Sequence, residues 1–200
     1  MIKQGAMFGL DARIALAIFG ALSVISGAAL YSAIQDLKAK SFLVDLQELG
    51  KAWEAYYLDT GSNLKHLDDS DNTSVYFYIL RSGDLVVNPS IAGWKGPYIS
   101  HEVDPTSGGY PNGYLTGKNG YDYHVMLLNG NDWASYSTGK CTSGQQCYIW
   151  SRIWLNGKQE DSIATKLDEI IDNSDGFNKG NFRYDTGFNL KIAPVDNPND

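Results

Sequence analysis

The chain has 200 residues and a net charge of -7, with 13 Tyr and 5 Trp. That length suits one domain plus an accessory element. The aromatic content excludes a disordered chain, because it supplies enough burial to offset chain entropy, and the acidity argues against a direct DNA or RNA ligand, whose binding needs basic side chains to displace counterions.

In chain order, the first element is apolar. Ile14 to Ile34, IALAIFGALSVISGAALYSAI, carries no charge, and about 20 helical residues cross roughly 30 Å of hydrocarbon. Its small residues, among them Ala17, Gly20, Ala21, Ser23, Gly27 and Ala28, suit close helix–helix approach better than a lone Leu-rich anchor would. Lys3 and Arg13 precede the span and an acidic segment follows, so positive-inside logic puts the N-terminus in the cytoplasm and everything after about Ser41 outside. A cleaved secretory signal is the competing reading. Against it, the run is long and the helical pattern continues through Gln35, Asp36 and Leu37. Phe42, Leu46, Leu49, Trp53 and Tyr56 then recur on one helical face. One helix is expected from Asp11 to about Tyr57, stopped by Asp59, Thr60 and Gly61, the last in a left-handed cap.

This N-terminal segment resembles the type IV pilin and type II secretion pseudopilin family. A short basic leader ending at Ala6 would be followed by Met7-Phe8-Gly9-Leu10-Asp11, with Asp11 at the family's acidic fifth position. In the same register Ala17-Ile18-Phe19-Gly20 falls on its Ala-Ile-Ile-Gly stretch. The chain departs from the family in having Ala6 before the cut instead of Gly, Asp instead of Glu, and Arg13 at an apolar position; cleavage after Gly5 would break the register. The resemblance implies a processed, methylated Met7 and a membrane-spanning assembly helix over residues 7–34 that continues outside the cytoplasm over 35–60. It also implies a homo-oligomeric filament, with other pilin-like subunits and an inner-membrane assembly machinery as partners. A carboxylate near hydrocarbon is costly unless paired. Asp11 would therefore meet a neighbouring subunit's terminal amine or Arg13. The alternative is that Asp11 and Arg13 snorkel at the headgroup level with no partner.

Residues 61–200 suggest an α+β domain, a long helix packed on an antiparallel sheet as in pilins. Leu64 to Thr73 is a polar loop in which Leu64 and Leu67 can tuck under the helix, and Val75 to Leu80 suits either a strand or a short helix. Tyr121, Tyr123, Val125 and Leu127 alternate with Asp122, His124, Met126 and Leu128. The Asn129-Gly130 turn signal then predicts a hairpin with Trp133 to Ser137 as the return strand. Gln146 to Leu155 is a further strand with Ile149, Ile153 and Leu155 on one face, closed by Asn156-Gly157. Ile163, Leu167, Ile170 and Ile171 mark a second helix ending near Asn173 to Gly176. Phe182 to Tyr184 and Phe188 to Ile192 are expected as edge strands.

Trp94-Lys95-Gly96-Pro97-Tyr98, Asp104-Pro105 and Gly109-Tyr110 resemble the Trp-x-Gly-Pro-Tyr and Asp-Pro-Trp-Gly-x-x-Tyr elements of major pseudopilins, with Thr106 in place of Trp. From the residues alone, Gly-Pro and Asp-Pro fix turns while Trp94 and Tyr98 anchor a loop to the helix.

The two cysteines, Cys141 and Cys147, enclose a short polar segment with a central Gly144, the form of a small extracytoplasmic disulfide loop. Two free thiols are the alternative. Zinc finds no matching ligand pair among His66, His101 and His124. No nucleophile elbow, zinc-protease pair, phosphate loop or dinucleotide fingerprint occurs, so an enzyme is not expected. Asp172, Asn173, Asp175 and Asn178, beside Gly176 and Gly180, offer oxygens for a hard cation. Calcium is the cofactor the pseudopilin resemblance implies, although Ile171 stands where an EF-hand's first ligand would be; a helix cap followed by an Asx turn accounts for the same residues. The expected function is a structural pilus or pseudopilus subunit. The alternative is a membrane-anchored extracytoplasmic adhesin or carbohydrate-binding module, whose Tyr, Trp and Asn residues between Trp94 and Trp154 would stack on sugars instead of serving as core.

Overall fold

The computed structural model describes residues 7–105 and 112–200. Among them, α1 (Met7–Thr60) is uninterrupted, and the chain divides into an N-terminal unit ending at Lys38 and a second unit, Ala39–Asp200. In the second unit α1 is followed by α2 (Val75–Tyr78), β1 (Glu102–Val103), β2 (Leu115–Thr116), β3 (Asp122–Asn129) and β4 (Cys147–Trp154). The helix α3 (Asp161–Asp172) and the strands β5 (Phe182–Tyr184) and β6 (Gly187–Val195) complete it. All strand pairs are antiparallel, in the order β1-β2-β3-β4-β6-β5, so the fold is α+β.

The helical face anticipated from the sequence is the face that packs. Phe42, Leu46, Leu49, Trp53 and Tyr56 are buried, joined by Ala39 and Ala52. Each large side chain so removed from water contributes about 1.5–3 kcal/mol. Gly50 lets α1 come close to β6, since a Cβ there would lie 2.5 Å from the Ile192 side chain. The helix stops as expected: Gly61 has φ +65, and its N–H donates to the Tyr57 carbonyl at 2.8 Å.

Side-chain alternation divides the sheet into two faces. Tyr123 on β3 donates its hydroxyl proton to Asp45 of α1 at 2.8 Å. That turns Tyr123 toward the helix along with its β4 partner Ile153, and Phe188 of β6 opposite Ile153 packs edge-on to Phe42 at 5.1 Å. The other face carries His124, Met126 and Leu128, with Arg152, Trp150 and Tyr148 opposite them. Most of these residues are buried as well, because loops cover this face too.

Three expectations change. Trp133 to Ser137 forms no strand. The Asn129 carboxamide accepts the Asn131 N–H at 3.0 Å, the chain leaves β3 in a long loop, and β4 takes the pairing position. Trp133 is buried instead, edge-on to Trp150 at 5.2 Å, so burying a large indole prevailed over the local turn signal. Phe188 to Ile192 is not an edge: β6 lies between β4 and β5, because its side chains are needed on both faces of the sheet. Ile170 is 45% exposed, so α3 buries a narrower stripe than its apolar residues suggested. Val75 to Leu80 resolves into α2, capped by the Ser74 hydroxyl, followed by Ile79 bridging to Met126. The edge of β3 is thus shielded in succession by β2, Ile79 and Lys140.

A chain lacking residues 1–34 is expected to be a soluble, cooperatively folding monomer, checked by sedimentation and thermal melting; filaments or a molten product would contradict the division at Lys38. Within that domain, Asp45→Ala is expected to lower stability by about 2–3 kcal/mol in urea titration, since it leaves the buried Tyr123 hydroxyl without its acceptor.

Candidate functional site

The N-terminal part of α1 is unusual for what it exposes. Leu16 and Phe19 are each 70% exposed, Val24 73% and Ile25 66%. So large an apolar surface needs lipid or protein neighbours, and this helix is long and apolar enough to cross a membrane. The Ser23 hydroxyl donates to the Phe19 carbonyl at 2.8 Å, which satisfies it within the helix and removes the cost of carrying it into hydrocarbon. A Cβ on Gly20 or Gly27 would meet nothing within 4 Å, so both positions are open to a close neighbour.

Asp11 and Arg13 are both exposed on α1. Among the proposed processing residues, Met7 is the first residue of the helix, and Ala6 lies outside the described residues. So do Thr106, Gly109 and Tyr110 of the second pseudopilin-like element.

The first half of that element behaves as its residues suggested. The Tyr98 hydroxyl reaches Asp59 of α1 at 3.2 Å and accepts the Lys95 N–H at 2.8 Å. Lys95 forms an ion pair with Asp59 at 2.7 Å. Trp94 is edge-on to Tyr98 and donates its indole N–H to the Asp84 carbonyl at 2.9 Å. Lys95 holds the Asp59 carboxyl below its usual range, and Asp59 in turn raises the Lys95 ammonium. The loop is therefore clamped to the end of α1.

Cys141 and Cys147 form a disulfide, with Cα atoms 5.6 Å apart. The bridge closes the loop just before β4, and the C-terminal tail ties onto it: Asn197 Nδ2 donates to the Thr142 and Gln145 carbonyls, and Asp200 accepts the Gly144 N–H.

At the end of α3 the structure groups Asp172 and Asp175 with Asp168, their carboxylate oxygens within 4.8 Å of one another. Asn173 is the left-handed helix cap, φ 56, and Asn178 is exposed, its carbonyl accepting the Trp133 N–H. Asp172 accepts the backbone N–H groups of Asn181 and Phe182 at 2.7 and 2.6 Å, so it pins β5 to the helix end. Asp168 accepts the Gly176 N–H at 3.2 Å, and burial raises its carboxyl above the usual range. The buried Arg183 guanidinium, its own pKa lowered by burial, feels Asp132, Asp175 and Asp172. Such oxygens suit a hard cation; here Asp172 and one Asp168 oxygen receive backbone donors, while Asp168 Oδ1 has no hydrogen-bond partner among the described residues.

Several residues on which the domain depends were not singled out by the sequence. Asp45 is 2% exposed within the apolar stripe of α1, and accepts from Lys118 Nζ at 2.7 Å as well as from Tyr123. Arg152 is 1% exposed and pairs with Asp185 at 2.8 Å, with further bonds to Asn189 and Thr186. A charge within the apolar stripe of α1 was the available signal for Asp45; Arg152 alternates onto the strand face opposite Ile149, Ile153 and Leu155, where the sequence carries no such signal. No protein-family model, curated protein or solved structure matches the chain.

Removing the bridge with Cys141→Ala and Cys147→Ala together is expected to cost about 2 kcal/mol of stability by the loop-entropy relation, measured as a lower urea midpoint with the fold retained. Two freely alkylated thiols in the unreduced protein would contradict the bridge.

Proposed function

We propose that the protein is a structural subunit of a filament of the type IV pilus or type II secretion pseudopilus kind, anchored in the cell membrane before assembly and polymerising through its apolar helix. The observation that carries this reading is a single uninterrupted helix, Met7–Thr60, apolar and exposed at its start yet buried against an antiparallel sheet from Ala39 onward. An anchor alone needs no small-residue surface of the Gly20 and Gly27 kind, whereas helices that bundle with copies of themselves do. In this reading the N-terminus begins in the cytoplasm and the domain from Ala39 lies outside, where the disulfide is compatible with an oxidising compartment. Other pilin-like subunits and the inner-membrane assembly machinery are its partners.

Asp11 is assigned the intersubunit role, pairing with a neighbour's terminal amine after cleavage between Ala6 and Met7, or with a neighbour's Arg13. A carboxylate at the membrane boundary is far better tolerated when so paired.

Asp11→Asn keeps the size and polarity of the side chain while removing its charge. Monomer is expected to accumulate in the membrane, with filament yield falling at least severalfold in sheared-filament assays and electron microscopy. Mass spectrometry of the assembled wild-type protein is expected to find an N-terminus at Met7. Normal filament yield from the Asn variant would refute the pairing role, and a membrane protein that never forms filaments would refute the subunit reading itself.

A further inference from the structure

His124 and Arg152 are cross-strand partners on β3 and β4, on the sheet face turned away from α1. They form the floor of a cavity of about 160 Å³. Its walls are aromatic: Tyr76 from α2, Tyr114 just before β2, Tyr136 from the loop between β3 and β4, and Trp154 at the end of β4. Tyr114 stands edge-on to the His124 ring at 4.9 Å and lies 6.5 Å from Trp154. The Arg152 guanidinium sits 4.4 Å from the centre of the Tyr136 ring.

The floor is polar yet carries no net charge. Arg152 is neutralised by Asp185 at 2.8 Å. Burial, reinforced by the Arg152 charge, holds the His124 imidazole well below its ordinary pKa, so it is neutral at physiological pH. His124 is 2% exposed, and its Nδ1 has no hydrogen-bond partner among the described residues. That nitrogen is enclosed, so the hydrogen bonds open to a ligand come from the lining tyrosines.

We infer that this cavity binds one neutral pyranose ring, with the aromatic walls packed on its apolar C–H face and the Tyr114 hydroxyl hydrogen-bonded to one of its hydroxyls. A tyrosine hydroxyl both donates and accepts, and a sugar hydroxyl matches either. An anion would find the cavity's one guanidinium already engaged with Asp185, and a cation would face that guanidinium across the floor. Drug-sized ligands occupy cavities of roughly 300–1,000 Å³, so this smaller one suits a single ring. Tyr and Trp present the apolar faces with polar edges that such a ring requires. Burial, with the neighbouring Tyr76 and Tyr136 hydroxyls adding to it, also keeps the Tyr114 hydroxyl protonated and able to donate. The inference is independent of filament assembly, because an unassembled anchored protein would carry the same cavity.

The test uses the full chain in a zwitterionic detergent without a sugar headgroup. The probes are the methyl glycosides of glucose, galactose, mannose and N-acetylglucosamine, followed by saturation-transfer NMR and tryptophan fluorescence. At least one glycoside is expected to bind with a Kd in the range of about 1 mM. Binding should weaken about tenfold in Tyr76→Ala and in Trp154→Ala, the loss expected for one stacked ring, with the thermal transition retained. Choline and sulfate should not compete. Tyr76 is 38% exposed, so its truncation decides the matter even where Trp154→Ala disturbs the fold. Absence of binding by all four glycosides to the unaltered protein, binding indifferent to Tyr76→Ala, or displacement by choline or sulfate would each overturn the inference.

Discussion

Asp45 occupies a position on α1 that the apolar stripe would otherwise give to a hydrophobic side chain, and it accepts hydrogen bonds from Tyr123 on β3 and from Lys118. A buried carboxylate is tolerated only when its lone pairs are met, so this residue fixes the register between helix and sheet in a way that interchangeable aliphatic contacts cannot. Around it Phe42, Leu46 and Leu49 supply the area and Tyr121, Phe188 and Ile153 the opposing surface. Burial provides most of the free energy, and the Asp45 pair chooses one arrangement among the many that burial alone would allow. Burial and the accepting carboxylate together keep the Tyr123 hydroxyl protonated at any physiological pH, so the pin holds across that range.

The opposite face of the sheet solves a different problem. Its inward positions include two arginines, Arg152 and Arg183, each 1% exposed. Arg152 is satisfied by Asp185, Asn189 and Thr186 and stacks on Tyr136. Arg183 lies over Trp133 and Trp150, with Asp132 at 4.0 Å. Guanidinium groups are more weakly hydrated than ammonium and stack on aromatic faces, which is why arginine is found here instead of lysine. The loop between β3 and β4 is ordered by this chemistry: Trp133 and Tyr136 are held by the arginines beneath them, and the Cys141–Cys147 bridge closes its far end.

These two devices let one chain combine two solvents. The N-terminal unit presents apolar side chains outward and asks for lipid or like helices, whereas the second unit hides its apolar residues and presents an acidic surface.

The sequence by itself determined the elements whose signal is periodic and local: the apolar span, the buried stripe from Phe42 to Tyr56, the left-handed stop at Gly61, the strands at Tyr121–Leu128 and Gln146–Leu155, and α3 with its cap at Asn173. Each follows from the spacing of side chains along one segment, so no knowledge of the rest of the chain is needed. Tertiary structure alone decided what those segments meet. Trp133 to Ser137 follows a hairpin turn signal but forms no strand, and Trp133 is a core indole on the sheet's second face. The segment at Phe188 reads locally as an edge strand and is an inner one, since β5 pairs on its far side and closes the sheet. Asp45 and Arg152 are charges whose partners lie far away in sequence, whereas the acidic group forms because Asp168 and Asp172 stand one turn apart on α3 and the chain beyond its cap brings Asp175 back to them. Polar burial is a property of a pair, and a pair separated by tens of residues leaves nothing in either segment that names the other partner.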